Sequence, residues 1–216
     1  MQRSSLLWVR AYRLLLAVAI LIAIVFQLAR FGGTGVSAIT YLSFFTVQSN
    51  LIAAAVLLGN GVWPARGGPQ ARRDLIRGAA VLYLTITGVV YALLLSAYNA
   101  QAEGALFWIN LLHHYIAPLA LFVDWLIDPP ATALPFRRAL VWVAYPLLYL
   151  AFTLLRGATM GWYPYPFLDP GAVGGYGGVF VFSAVTLLGA VAFIGLLVAL
   201  PRRLARARGR EGDWAN

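Results

Sequence analysis

Long apolar stretches separated by short polar segments dominate the chain. Six of these stretches are long enough for a helix that crosses the hydrocarbon core of a bilayer, which takes about 20 residues. They cover residues 8–28, 41–58, 78–97, 106–127, 139–155 and 175–200. Backbone groups in hydrocarbon must form hydrogen bonds within the chain, so each stretch is predicted to be a helix. The alternating pattern of a membrane β-barrel does not occur in the sequence.

Composition points to the same class of protein. Hydrophobic residues make up 62% of the 216 residues and charged residues only 11%, against about 25% charged residues in soluble domains. We therefore predict an all-α polytopic membrane protein. Residues 1–216 are expected to form a single domain, a bundle of six transmembrane helices.

The arginines predict the orientation of this bundle. All 16 basic residues are arginines, and 14 of them lie in the N-terminal segment, the loops after the second and fourth stretches, and residues 201–216. Arg30 and Arg156 lie on the other side. The positive-inside rule then places both termini in the cytoplasm, with residues 201–216 as a basic tail. The net charge of +9 is thus a topology signal, and we expect contact with membrane lipids and not with nucleic acid.

Polar residues inside the stretches are candidates for function, because they are costly in hydrocarbon and usually face a bundle interior or a cavity. Thr46, Ser49 and Asn50 share one face of the second helix. The fourth helix carries the only two histidines, His113 and His114. At 1.5 Å per residue, Thr46 and His113 lie roughly 8 and 10 Å below the outer ends of their helices. A hydroxyl and an imidazole at matched depth are the components of a nucleophile and its base.

Three motifs make the chain resemble the androgen-induced-protein family and its prokaryotic six-helix relatives. They are the run Phe45-Thr46-Val47-Gln48-Ser49-Asn50, the placement of His113 five residues before Pro118, and the loop Tyr163-Pro164-Tyr165-Pro166-Phe167-Leu168-Asp169. The resemblance implies an intramembrane threonine hydrolase of fatty-acid esters of hydroxy fatty acids, in the cytoplasmic membrane of a bacterium. It assigns catalysis to Thr46 and His113, with Ser43 as the alternative nucleophile.

Further polar residues are candidates for supporting roles in this chemistry. Oxyanion donors could come from Gln48, Asn50, Asn110, His114 or Arg156, and the sequence does not choose among them. Ser49 lies on the face of Thr46, and Pro118 frees the carbonyl of His114. Asp169, in the outer loop with Tyr163 and Tyr165, could orient the histidine only if that loop folds inward.

Two other interpretations follow from the same residues. No cofactor or metal is expected, because adjacent histidines on a helix point about 100° apart and no carboxylate lies at ligand spacing. The alternative to an enzyme acting on a hydrophobic ester is a non-catalytic membrane protein. Its buried polar network would bind lipid or a protein partner.

Overall fold

The computed structural model describes residues 3–31, 37–63, 70–99, 104–131 and 134–213. These residues form helices and no β-strand, which confirms the all-α prediction. The α-helices are α1 (Arg3–Phe31), α2 (Ala38–Leu42), α3 (Phe45–Val62), α4 (Gln70–Val90), α5 (Ala105–Leu111), α6 (Ala117–Ile127), α7 (Phe136–Ala139), α8 (Ala144–Met160) and α9 (Tyr176–Asp213). Short 3-10 turns cover Ser96–Asn99, Leu140–Val143 and Pro166–Leu168. A first π-helical segment, Tyr91–Leu95, follows α4, and a second, Leu112–Ile116, joins α5 to α6.

Six helical stretches of the described chain are long and apolar enough to cross a membrane, as the sequence predicted. They are Leu7–Phe31, Phe45–Val62, Gln70–Leu95, Leu106–Ile127, Phe136–Met160 and Tyr176–Pro201. Their outer faces carry large apolar side chains, and Leu15, Ile22 and Leu188 are 72%, 64% and 69% exposed. Such a surface suits lipid and not water. The chain is an integral membrane protein.

The second span begins four residues later than the sequence predicted. Ser37 caps the short helix α2 by accepting a hydrogen bond from the Thr40 N–H at 3.1 Å. Phe44 is then extended, with φ −71° and ψ 133°, so α3 begins at Phe45. Ser43 therefore lies in the turn before α3, where its hydroxyl donates to the Ile39 carbonyl at 2.6 Å.

The last helix extends beyond the predicted span. α9 continues through Pro201 to Asp213, so most of the predicted basic tail, residues 201–216, is helical. The three residues that follow lie outside the described part of the chain.

The chain divides into two compact units, Met1–Trp125 and Leu126–Asn216. In the first unit, α3 packs against both α1 and α4, and the second π-helical segment contacts α3 and α4. In the second unit, α9 packs against α7 and against the 3-10 turns Leu140–Val143 and Pro166–Leu168. The predicted nucleophile and both histidines belong to the first unit.

Two arginines and two aspartates meet in the interior of the first unit. The Asp124 carboxylate accepts from Arg13 Nε at 2.7 Å and from Arg77 Nη2 at 3.0 Å. Arg77 also lies 3.7 Å from Asp74, and all four side chains are buried. These ion pairs connect α1, α4 and α6. Arg13 and Arg77 therefore also neutralise buried carboxylates. The sequence analysis used them only to predict the orientation of the helices.

We predict that Arg77→Gln destabilises the protein by about 3–5 kcal/mol, because two buried carboxylates lose a cation and Asp124 keeps only Arg13. The matched control is Arg72→Gln on the same helix, where the side chain is exposed. The control should change stability by no more than about 0.5 kcal/mol. Thermal unfolding of the purified proteins in detergent measures both effects. Equal melting temperatures for the two variants would show that the ion cluster does not stabilise the fold.

Candidate active site

The second π-helical segment shapes the candidate site, and Pro118 decides which of its carbonyls lacks a helical donor. Within this segment the Ala117 N–H donates to the carbonyl of Leu112, five residues earlier. The next donor in this register would be residue 118, but proline has no backbone N–H. The carbonyl of His113 therefore has no helical donor in this register. From the sequence we expected the His114 carbonyl to lack a donor, because an α-helix has the i+4 register.

Asn50 of α3 supplies the missing donor. Its Nδ2 lies 3.4 Å from the His113 carbonyl and 2.9 Å from the carbonyl of Thr46. Two carbonyl partners can only accept, so they fix the amide with its nitrogen toward them. Asn50 is fully buried, and it ties α3 to the fourth span at the level of Thr46.

A second polar bridge connects α3 to α4. The Ser49 hydroxyl donates to the Thr46 carbonyl at 3.1 Å, and it lies 2.8 Å from the hydroxyl of Thr87. Since the Ser49 hydrogen is directed to the carbonyl, Thr87 donates to Ser49. Ser49 and Asn50 thus both hold the first turn of α3, which presents the Thr46 side chain.

Thr46 pairs with His114. Thr46 Oγ1 lies 3.4 Å from His114 Nε2, and His114 Nδ1 lies 3.1 Å from the backbone carbonyl of Asn110. A carbonyl only accepts, so Nδ1 carries the hydrogen and Nε2 of the neutral ring presents its lone pair to the threonine hydroxyl. Both side chains are half-buried. The arrangement is a nucleophile, a base and an acceptor that orients the base.

His113 faces a different part of the first unit. Its ring is 2% exposed and hydrogen-bonds to the backbone of Ile20 in α1. Its Nε2 has no hydrogen-bond partner among the described residues. The sequence predicted Thr46 and His113 as the catalytic pair, whereas the structure brings Thr46 to His114. Adjacent helical residues point about 100° apart, so only one of the two histidines can face α3 at Thr46.

The other candidates from the second span and the fourth span have separate contacts. Gln48 is half-buried and donates from Nε2 to the Leu42 carbonyl at 2.9 Å, which joins α3 to the end of α2. The Asn110 side chain is half-buried and lies one turn before His114 on the same helix face. Ser43 is bonded to its own helix, so Thr46 is the hydroxyl that faces an imidazole.

The remaining predicted residues belong to the second unit, where they make local contacts. The Arg156 guanidinium lies 4.8 Å from the centre of the Trp162 ring. Tyr165 stacks on Phe167 at 5.2 Å, and Asp169 Oδ1 accepts from the Gly171 N–H at 2.9 Å. Tyr163 packs so closely on Gly157 that a Cβ there would overlap its ring. Asp169 thus caps a turn of the segment between α8 and α9.

Tyr91 is a site residue that the sequence analysis did not select. Its ring stacks on the His114 ring with centroids 3.7 Å apart and an 18° angle between planes. The available signal was spacing, since Tyr91 follows Thr87 by one helical turn and both are polar residues within an apolar span. That spacing predicts a shared face but not which neighbouring helix the face contacts.

Within the described chain, no group of three or more histidine, aspartate or glutamate side chains could hold a metal ion. No protein-family model, curated protein or solved structure matches the chain. The resemblance to the androgen-induced-protein family therefore stays a prediction based on three sequence motifs.

We predict that Asn50→Ala lowers the free energy of unfolding by about 1–3 kcal/mol, because the buried carbonyl of His113 loses its side-chain donor. Asn60→Ala is the matched control on the same helix. Asn60 is half-exposed and donates to the Val56 carbonyl of its own helix, at 2.7 Å, so its loss should cost about 0.5 kcal/mol or less. Thermal unfolding in detergent compares the two variants. A larger loss for Asn60→Ala would contradict the bridging role of Asn50.

Proposed function

We propose that this protein is an intramembrane hydrolase of long-chain lipid esters, with Thr46 as the nucleophile and His114 as its general base. The observation that supports this proposal is the chain of contacts from Thr46 Oγ1 to His114 Nε2 and from His114 Nδ1 to the Asn110 carbonyl. The motif resemblance supports the same reaction with a threonine and a histidine of the same two helices. It assigns the base to His113, and the hydrogen-bond geometry favours His114.

The proposed reaction has two steps. A threonine hydroxyl is a weak nucleophile at neutral pH and needs a base within hydrogen-bond reach. As Thr46 Oγ1 attacks the ester carbonyl, its proton moves to His114 Nε2 and then to the departing alkoxide, which leaves as the alcohol. Water next attacks the acyl-threonine, gives a proton to His114, and releases the carboxylic acid and the free Thr46 hydroxyl.

The tetrahedral intermediate of each step needs hydrogen-bond donors for its oxyanion. Among the candidates from the sequence, Asn110 is favoured by its position one turn from His114 on the same helix. Its backbone carbonyl orients the base, and we assign its side-chain amide to the oxyanion. Asn50 is less suited, because its amide nitrogen already serves two backbone carbonyls.

An ester with long apolar chains fits the surroundings of this pair. Thr46 and His114 are half-buried within spans, and Phe107 and Trp108, one turn before Asn110 and Leu111, are exposed apolar side chains. A substrate dissolved in the bilayer could therefore approach from the side. The arginine distribution and the motif resemblance support a site in the outer half of a bacterial cytoplasmic membrane.

The alternative, a non-catalytic membrane protein, is supported by the bonds of Ser49, Asn50 and Thr87. Each of these bonds connects two helices or stabilises a helix turn. A structural role therefore accounts for the burial of the three side chains without a catalytic one. The two functions differ in whether the Thr46 hydroxyl reacts.

We predict that a lipophilic fluorophosphonate labels the wild-type protein at Thr46 and does not label Thr46→Ala. His114→Phe should slow labelling by about 10²–10⁴-fold, the contribution of a general base. His113→Phe should keep the labelling of the folded protein, and thermal unfolding in detergent checks that each variant is folded.

Two outcomes of the labelling experiment and one of a hydrolysis assay separate the proposals. Loss of labelling in His113→Phe with retention in His114→Phe would return the role of base to His113. Labelling of Thr46→Ala at the wild-type level would place the reaction elsewhere. Hydrolysis of a panel of long-chain esters at equal background rates by wild type and Thr46→Ala would favour the non-catalytic alternative.

We further predict that Asn110→Ala lowers kcat for ester hydrolysis by about 10²–10³-fold, the cost of one lost oxyanion donor. The variant keeps the backbone carbonyl that orients His114, so the binding of the apolar chains, and hence KM, should change little. Steady-state kinetics on one long-chain ester measures both constants. Gln48→Ala is the control, because its amide is occupied at the Leu42 carbonyl, and an equal fall in kcat there would count against Asn110.

A further inference from the structure

We propose that Tyr91 is a positioning residue that holds the His114 imidazole in the orientation that faces Thr46. This inference rests on the proposed function, since it assigns to Tyr91 the task of aligning the base. Tyr91 stacks on the ring of the base, so the role proposed for it acts through His114.

The stack between the two rings is close and nearly parallel. The centroids lie 3.7 Å apart with an 18° angle between planes, and Tyr91 is only 5% exposed. The Tyr115 ring meets Tyr91 edge-on, with centroids 5.7 Å apart and a 90° angle. Tyr91 is thus held on one side by Tyr115 and offers its face to His114.

Gly88 makes this contact possible. A Cβ at position 88 would lie 2.9 Å from the His114 carbonyl oxygen and 3.2 Å from the Pro118 side chain. Small residues let transmembrane helices approach closely, and here the approach occurs one turn before Tyr91. The glycine therefore sets the distance between the third and fourth spans at which the two rings can stack.

Both stacked residues lie in π-helical segments. Tyr91 begins the first segment, where the Ser96 N–H donates to its carbonyl, and His114 is central in the second. The i+5 hydrogen bond of a π-helical turn spans one residue more than the i+4 bond of an α-helix. This changes which side chains face a neighbouring helix. Such turns occur frequently at functional sites.

The imidazole needs two restraints for catalysis. The second side-chain torsion of histidine is broad and allows the ring to turn over. The hydrogen bond from Nδ1 to the Asn110 carbonyl restrains one edge of the ring, and the Tyr91 face restrains its plane. Together they direct the Nε2 lone pair at Thr46 Oγ1, which is the alignment that proton transfer requires.

Ring NMR of the full-length protein tests this alignment without using activity. The chain has only two histidines, so histidine labelled with ¹⁵N in the ring gives two sets of signals, which His113→Phe assigns. In the wild type and in Tyr91→Phe we expect His114 to be protonated at Nδ1 alone, with its ring protons shifted upfield by the stack. In Tyr91→Leu and Gly88→Ala we expect loss of the upfield shift and a mixture of the two tautomers.

The rate of fluorophosphonate labelling is the second measurement on the same variants. Tyr91→Leu should lower it about 10-fold, the effect of losing one aromatic contact and the alignment it maintains, and Tyr91→Phe should restore it. Tyr83→Leu is the matched control, since Tyr83 is buried in the same span, Gln70–Leu95, but packs edge-on against Phe45. It should lower stability and leave both the His114 signals and the labelling rate unchanged.

The outcomes distinguish this inference from the proposed function. Unchanged His114 signals or an unchanged labelling rate in Tyr91→Leu, or equal losses in Tyr83→Leu, would overturn the positioning role. If the wild type is not labelled while Tyr91→Leu still releases the His114 tautomer, Tyr91 positions the ring and the hydrolase proposal fails.

Discussion

The missing backbone N–H of Pro118 is the constraint on which the arrangement of the site depends. In hydrocarbon a carbonyl without a donor is costly, because no water can replace the bond. In the i+5 register of Leu112–Ile116 this loss falls on the His113 carbonyl, and the Asn50 amide is its donor. That bond ties α3 to the fourth span one turn from Thr46. The bond that supplies this carbonyl with a donor thus joins the two helices that carry Thr46 and His114.

Charge is subject to a similar requirement at another place in the first unit. Asp124 and Asp74 are buried, and a carboxylate removed from water is stable only when it is paired and hydrogen-bonded. Arg13 and Arg77 supply that pairing from α1 and α4. The sequence analysis uses the arginines as a group to predict orientation. It does not separate those that face the interior from exposed ones such as Arg72, because both kinds occur in the same short segments.

The two adjacent histidines show where inference from sequence stopped. Their residue type and depth predicted an imidazole close to Thr46, and the structure brings the second and fourth spans into contact at that level. The choice between His113 and His114 depends on the rotation of the helix at that level. A π-helical segment changes this rotation, and the apolar pattern of the sequence does not indicate such a segment. Tyr91 escaped selection for the same reason, since a tyrosine in an apolar span shows no sign of which ring it will meet.

The sequence by itself determined the six helical spans, the membrane as their environment and the residue types available for chemistry, because apolar length and the cost of buried polar groups act locally along the chain. It also placed the fourth span at residues 106–127, where the structure has it. Four features were decided only by the folded structure. They are the start of α3 at Phe45 and the pairings of Thr46 with His114, of His113 with Ile20, and of Tyr91 with His114. Each depends on a hydrogen bond or ring contact between residues distant in sequence, or on a turn whose geometry the apolar pattern does not encode.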